Sequence, residues 1–495
     1  MVGTAEGFND RWNVNAMAPI LASRRRLLTS VGGVTAAGVL LPIVERSSEP
    51  ERVVLPEFRR RGDRDDTAAL MRAAETGRPI HAPAGRYLVS MTAAENLPPT
   101  FRLKGDGAKA TVFARSYSRP SPFILHADSG SPNPRDNFMD YRIQGLSFED
   151  DVAQRGFSEF DYLVMLNGVT GALIEGVEFR GFRGDGLYIG SSTVRSQERH
   201  NAEITVRACH FDGMNANTRN AISVLDCDGL VVEGCTFWNV GRTGGPLPPD
   251  PMNPFTGVQS PGAIDIEPEP TGFSRVQNVS IRNNLFIGGG GYAVTLNMFE
   301  NTGKAFQRRF SISNNRVLDR YGGFSARGFA SGSDASIPYD IAILDNVAER
   351  CRKPFLVDGM HGLRVTNNRF IDCAEEGELG YHRRNFEVKL ASNEFLRVGY
   401  ERGFALWIRS SDGLVLRENT FLDCGLRDGS RGIPIAFVSG VSTNVSLLEN
   451  IVENRSGRTT EATTVFAEAS VDRRTLTVSG NSVRGPVDRG PTALF

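Results

Sequence analysis

The sequence predicts an all-β solenoid, a single-stranded parallel β-helix of about 12 coils, and a repeat and its spacing carry that prediction. The repeat is seen best in Val279-Ser-Ile-Arg-Asn-Asn-Leu-Phe286, Phe310-Ser-Ile-Ser-Asn-Asn-Arg-Val317, Leu363-Arg-Val-Thr-Asn-Asn-Arg-Phe370 and Leu414-Val-Leu-Arg-Glu-Asn-Thr-Phe421. One Asn recurs at positions 284, 315, 346, 368, 393, 419, 450 and 481, in steps of 22 to 31 residues. Four weaker copies precede these and end at Phe148, Phe179, Phe211 and Phe237, with Leu146, Val177, Cys209 and Cys235 in the Asn slot. Units this short, rich in β-branched residues, leave no room for a helix in each, so every unit is read as a turn of strands stacked on the last. At roughly 4.8 Å per coil the rod is about 55 Å long.

Each part of the unit has a physical reason. The apolar residues before the Asn alternate with polar ones, which sends one set inward and the other to solvent. The Asn is placed at a bend, where tolerance of left-handed backbone and amide stacking between coils both help. The closing Phe or Val then returns inward to form an apolar stack. Because a solenoid grows in one dimension, the 495 residues need only one long domain, 51–495, after a tail, 1–50. A formal net charge of -1 gives no electrostatic reason for a nucleic-acid partner. The six Cys (209, 227, 235, 351, 373 and 424) follow no metal spacing and are read as small inward hydrophobes.

Taken in order, the tail contains Ser23-Arg-Arg-Arg-Leu-Leu28 followed by the uncharged stretch Thr29 to Val44. This resembles a twin-arginine export signal, which implies a periplasmic or extracellular location, with any membrane contact made through the signal alone. Met17 is an alternative start to Met1. Next, Asp65-Asp66-Thr67-Ala68-Ala69-Leu70 predicts a short helix, capped by Asp65 or Asp66, that covers the end of the solenoid with Ala69, Leu70 and Ala73. Together with Pro83-Ala-Gly-Arg-Tyr87, this stretch resembles the opening segment of the pectate lyase superfamily. The resemblance implies a right-handed β-helix and a carbohydrate ligand. It does not imply a reaction, because lyases, hydrolases, epimerases and phage tailspikes share it. The coils begin irregularly from 101 to 180, and the two Arg-Gly-Asp triplets at 61–63 and 183–185 are read as chance. Gly181 to Gly190 is expected to form a turn and then a strand, with Leu187 and Ile189 inward and Tyr188 outward.

One interval is out of line, since Phe237 and Phe286 are 49 residues apart. Its excess, Gly241 to Pro261, is rich in Gly and Pro and is read as a loop walling a binding cleft. Directly after it, alternation in Gly262-Ala-Ile-Asp-Ile-Glu267 buries Ile264 and Ile266 and turns Asp265 and Glu267 outward. Carboxylates two residues apart along a strand, with stems roughly 6 to 7 Å apart, suit a glycosidase acid with its nucleophile or base. They also suit a hard cation. Counting on from each closing residue places a stripe of Glu267, Asn297, Arg327, Asp358, His382 and Trp407, with Arg409 beside it, at one residue per coil. Such a stripe fits a sugar chain, with polar groups for hydroxyls and an indole for a ring face.

The leading expectation is an exported enzyme that cleaves a polysaccharide, with Asp265 and Glu267 as the acid/base pair and Asn297, Arg327, Asp358, His382, Trp407 and Arg409 binding substrate. Hydrolysis needs no cofactor. One rival is a polysaccharide lyase with Arg327 as base, in which the carboxylates would hold Ca2+ against a uronate. The other is a carbohydrate-binding or structural β-helix without catalysis. Polygalacturonase-type Asp-Asp and Gly-His-Gly motifs are not present, so no mechanism transfers from that family.

Overall fold

The computed structural model describes residues 51–485 apart from 192–196, 242–261, 270–271, 302–304, 330–336, 426–432, 438–439, 456–464 and 468–470. The basic and uncharged stretches of the tail, and all of the Gly241–Pro261 loop but Gly241, lie outside the described residues.

The described chain winds through three parallel sheets of 15, 14 and 12 strands, here named faces A, B and C. Each complete coil runs from A to B to C, and a strand on one coil pairs in parallel with its counterpart on the next. Twelve coils are complete, from Phe101–Gly105 on face A to Val465–Ala467 on face C, as the repeat count predicts. The core is the interior of this coil, built from stacks of like residues. Phe113, Phe148, Phe179, Phe211, Phe237 and Phe286 are in register on face B, with ring centroids 4.5 to 6.0 Å apart. Val317 and Ala348 interrupt the aromatic column, which resumes at Phe370, Phe395 and Phe421. Stacked-ring geometry of this kind adds to the burial of each ring.

The recurring Asn forms one continuous ladder. Nδ2 of Asn284, Asn315, Asn346, Asn368, Asn393, Asn419 and Asn450 each donates to Oδ1 of the next Asn along the chain, ending at Asn481, at 2.9 to 3.1 Å. The same Nδ2 reaches back to a main-chain carbonyl of the preceding coil, as Asn315 does to Ile281 at 2.9 Å. Each Oδ1 also accepts the main-chain N–H of the Asn before it, and Asn284 Oδ1 accepts that of Cys235 at 2.9 Å. A buried amide with all its valences filled in this way is inexpensive to desolvate.

The left-handed backbone does not fall on the ladder Asn. It falls one residue earlier, on Asn283, Asn314, Asp345, Asn367, Ser392, Glu418 and Glu449, with φ between 54° and 57°. Turn and ladder are therefore separate positions, and a Cβ-branched side chain is excluded only at the first. Ser392→Val is expected to cost about 1 to 2 kcal/mol, whereas Ser392→Gly should be neutral or mildly stabilising. Urea midpoints of the two variants give the signs, and equal shifts would remove the assignment of strain to this residue.

All six Cys are buried and free, and Cys235 Sγ lies 3.4 Å from the main-chain nitrogen of Cys209 on the previous coil. At the other end of the coil, the helix Thr67–Ala74 turns Ala69, Leu70 and Ala73 into the core. Asp65 Oδ1 accepts the Thr67 N–H at 3.0 Å, while Asp66 accepts from Leu88 at 2.8 Å and so ties the helix to the first strand of face B.

Candidate functional site

The site begins with strand alternation on face C. Ile264 and Ile266 enter the core and Asp265 faces out between them. Register then fixes its row: Tyr188, Ser223, Asp265, Thr295, Ser325, Leu356, Glu378 and Trp407 are partners on successive coils. Two residues further along, Asn297, Arg327 and Asp358 form the adjacent row. Glu267 follows the strand, is exposed, and its N–H donates to the Val224 carbonyl at 3.0 Å.

The expected single stripe is therefore two rows. Trp407 belongs to the row of Asp265, whereas His382 lies beyond the strands in a turn. Eight residues from Phe370 lands on Glu378, and that is the side chain the row contains. Asp358 is buried and accepts the N–H groups of His382 and Arg383, each at 2.8 Å, so its carboxylate holds that turn. Arg327 is exposed and Asn297 half-buried.

Asp265 is the centre of the first polar cluster. Asn220 Nδ2 donates to one of its oxygens at 3.1 Å and Asn297 Nδ2 to the other at 3.3 Å. Asn220 is itself fixed, because its N–H donates to Asp185 on the preceding coil at 3.1 Å and its amide to Ser223 Oγ on its own coil at 3.0 Å. Arg219 pairs with the buried Asp185 at 2.7 Å. Burial first, and then the charge of Glu267, push the Asp265 carboxyl up to about 7, with Arg219 opposing. Asp265 can thus hold a proton at neutral pH beside a solvent-facing carboxylate. Asp185, Arg219 and Asn220 were not legible as site residues, since they come from preceding coils with no motif of their own.

A second polar cluster lies on the same face, four coils or on the order of 19 Å from Asp265. Lys353 Nζ sits 2.7 Å from Glu378 and 3.3 Å from Glu375, and Arg352 adds a bond to Glu375 at 2.8 Å. Burial pushes Glu376 up to about 7. At the rim, Arg409 lies 4.4 Å from the centre of the Trp407 ring and 4.1 Å from that of Tyr381, and Tyr381 meets the His382 ring edge-on at 4.0 Å. The sequence signal for this cluster is the run Glu375-Glu376-Gly-Glu378, of which Glu378 lies in the strand Gly377–Leu379 and the other two carboxylates just before it. Among the described residues no group of three or more His, Cys, Asp or Glu side chains is arranged to hold a metal ion.

Comparison with known proteins supports the fold. A family model described as a right-handed β-helix region matches residues 156–305. An uncharacterised Bacillus subtilis protein, YclG, is 24% identical over 344 residues, which are 61% of this chain and 56% of that protein. The match thus spans little more than half the length of that relative. Among solved structures, the pre-mature gene product 12 of bacteriophage phi29 superposes with a TM-score of 0.63 at 13% identity, over 90% of this chain and 58% of that one. The tailspike protein of Escherichia coli bacteriophage HK620 gives 0.57 at 12% identity, over 88% and 80%. A family 28 exopolygalacturonase from Yersinia enterocolitica gives 0.51 at 12% identity, over 81% and 78%. The chain folds as a right-handed parallel β-helix.

Proposed function

We propose that this protein is an exported enzyme that hydrolyses a polysaccharide along face C. The observation that carries the reading is the buried carboxyl of Asp265, held through both oxygens by Asn220 and Asn297 and pushed up to about 7, with the exposed Glu267 two residues on, just past the strand. Protonated Asp265 donates to the glycosidic oxygen as that bond breaks, while Glu267 takes the proton of the attacking water or attacks the sugar carbon itself. Asn220 and Asn297 orient the acid through its two oxygens. Arg327 in the adjoining row and the Trp407–Arg409–Tyr381 rim supply N–H donors to sugar hydroxyls, and ring faces, along the chain. The fold likeness to an exopolygalacturonase and to phage tailspike proteins favours a saccharide chain as ligand.

The test is release of reducing ends from a panel of neutral and acidic polysaccharides. Products that carry a double bond absorbing in the ultraviolet, formed only with Ca2+, would replace hydrolysis by elimination with Arg327 as base. Export belongs to the same proposal and rests on Ser23-Arg-Arg-Arg-Leu-Leu28. Arg24→Lys with Arg25→Lys is expected to hold the protein in the cytoplasm, as cell fractionation would show, and undiminished export would sink the twin-arginine assignment.

A further inference from the structure

Where the chain turns from face C back to face A, the surface is hollowed into a pocket of about 640 Å3. Its wall carries four cations, Arg308, Arg309, Arg364 and Lys389, against two carboxylates, Asp340 and Glu387, over the apolar edge of Ile337 and Pro338. We infer that this pocket is a second carbohydrate site, one that holds an acidic saccharide and lies apart from the carboxylates of face C.

Charge gives the first argument. Arg308 Nε and Arg309 Nη2 both donate to the neutral Gln277 Oε1, at 3.2 and 2.7 Å, so their guanidinium groups are fixed side by side, and neither forms an ion pair among the described residues. Arg364 has Asp340 at 3.2 Å, whereas Lys389 forms no ion pair among the described residues. Glu387 is turned towards His361 at 3.3 Å. The excess is local, because the whole chain has a formal net charge of only -1. An anion bound here gains charge-assisted hydrogen bonds from donors already held in place.

Shape gives the second. Arg364 and Lys389 are register partners on adjacent coils, so their stems are repeated at about 4.8 Å, close to the length of one sugar residue in a chain. Gly362 lines the pocket with φ 71°, and a Cβ there would come within 2.8 Å of Pro338 Cβ, so glycine is what lets this wall of the pocket pack against Pro338. A pocket of several hundred Å3 with an apolar edge and a few fixed donors has the dimensions of a ligand site. The saccharide's acid can be a carboxylate or a sulfate ester, since both present oxygens to guanidinium and ammonium groups.

The inference rests on the hydrolase reading only for the ligand being a carbohydrate, and it is tested where hydrolysis is switched off. Full-length Asp265→Asn protein is titrated calorimetrically with oligogalacturonate, with a heparin-derived oligosaccharide and with neutral dextran oligosaccharide. At least one acidic ligand is expected to bind more tightly than dextran, with affinity falling as salt rises, and the ratio of the two identifies the acid group. Adding Arg308→Ala and Arg309→Ala should lower acidic binding at least about tenfold, and Lys389→Glu should lower it further. Glu387→Gln should raise affinity, a gain that misfolding cannot produce. Acidic binding untouched by these changes, or dextran bound as well as either acid, would overturn the inference. Loss of hydrolysis in Asp265→Asn with acidic binding retained leaves the two readings separately decided.

Discussion

Asp265→Asn is expected to lower kcat by about 10²- to 10⁴-fold, because the carboxyl that protonates the leaving oxygen is replaced by an amide that cannot. Glu267→Gln should lower it comparably. In the parent enzyme, activity should fall as pH rises through about 7, where the buried acid loses its proton. Stability should report the same group. A carboxyl pushed up to about 7 in the fold, from an ordinary value of about 3.9, contributes stability that is fully present below about pH 4 and is lost as pH rises to about 7. Asp265→Asn should therefore make the fall in stability across that window shallower, with Glu376 supplying part of what remains, and leave the variant more stable than the parent at pH 8, by on the order of 1 to 3 kcal/mol. Urea midpoints at pH 4, 6 and 8 read the slope. An unchanged slope, or full activity in the variant, would mean that Asp265 is not the titrating acid of face C.

Asn368→Ala is the second large effect, and it should cost about 3 kcal/mol. Asn368 Nδ2 donates to the carbonyls of Ile343 and Thr366 and to Asn393 Oδ1, and its own Oδ1 accepts both the N–H and the Nδ2 of Asn346. Truncation leaves the buried Asn346 N–H without its acceptor and takes one partner each from the Asn346 amide, the Ile343 and Thr366 carbonyls and Asn393 Oδ1, in a place water cannot reach. Asn481, half-buried at the end of the row, accepts from Asn450 and donates only to the Leu447 carbonyl, so Asn481→Ala should cost about 1 kcal/mol. Coils in a solenoid contact only their neighbours, and faster amide exchange should be confined to residues around 343–393 while Asp265 chemistry persists. Equal losses at Asn368 and Asn481 would break the argument.

Much of this molecule is legible in its sequence because a solenoid repeats its instructions. The Asn slot and the closing aromatic give coil boundaries, and parallel register follows from them. The left-handed residue was masked by pairs such as Asn283-Asn284 and Asn367-Asn368, in which either Asn fits a bend; Glu418-Asn419 separates the roles. On face C, alternation finds Asp265, yet its partners Asp185, Arg219 and Asn220 arrive from preceding coils and follow no period. The step from Phe395 to Trp407 is longer than that from Phe370 to Glu378, so counting from the closing residue drifts, and with it the stripe.

The unequal spacing of the ladder has a mechanical consequence. Held at its C-terminus and pulled, a rod of this kind should peel coil by coil, and the chain released at each step is set by the distance between successive ladder positions. Those distances, from Asn481 backwards, are 31, 31, 26, 25, 22, 31 and 31 residues. At about 3.3 to 3.6 Å of contour per residue, the steps run from roughly 75 to 110 Å, long at first, shortest at the Asn346–Asn368 coil, then long again. A force trace would thus carry the order of the coils as a barcode, written by the same amides that hold them together.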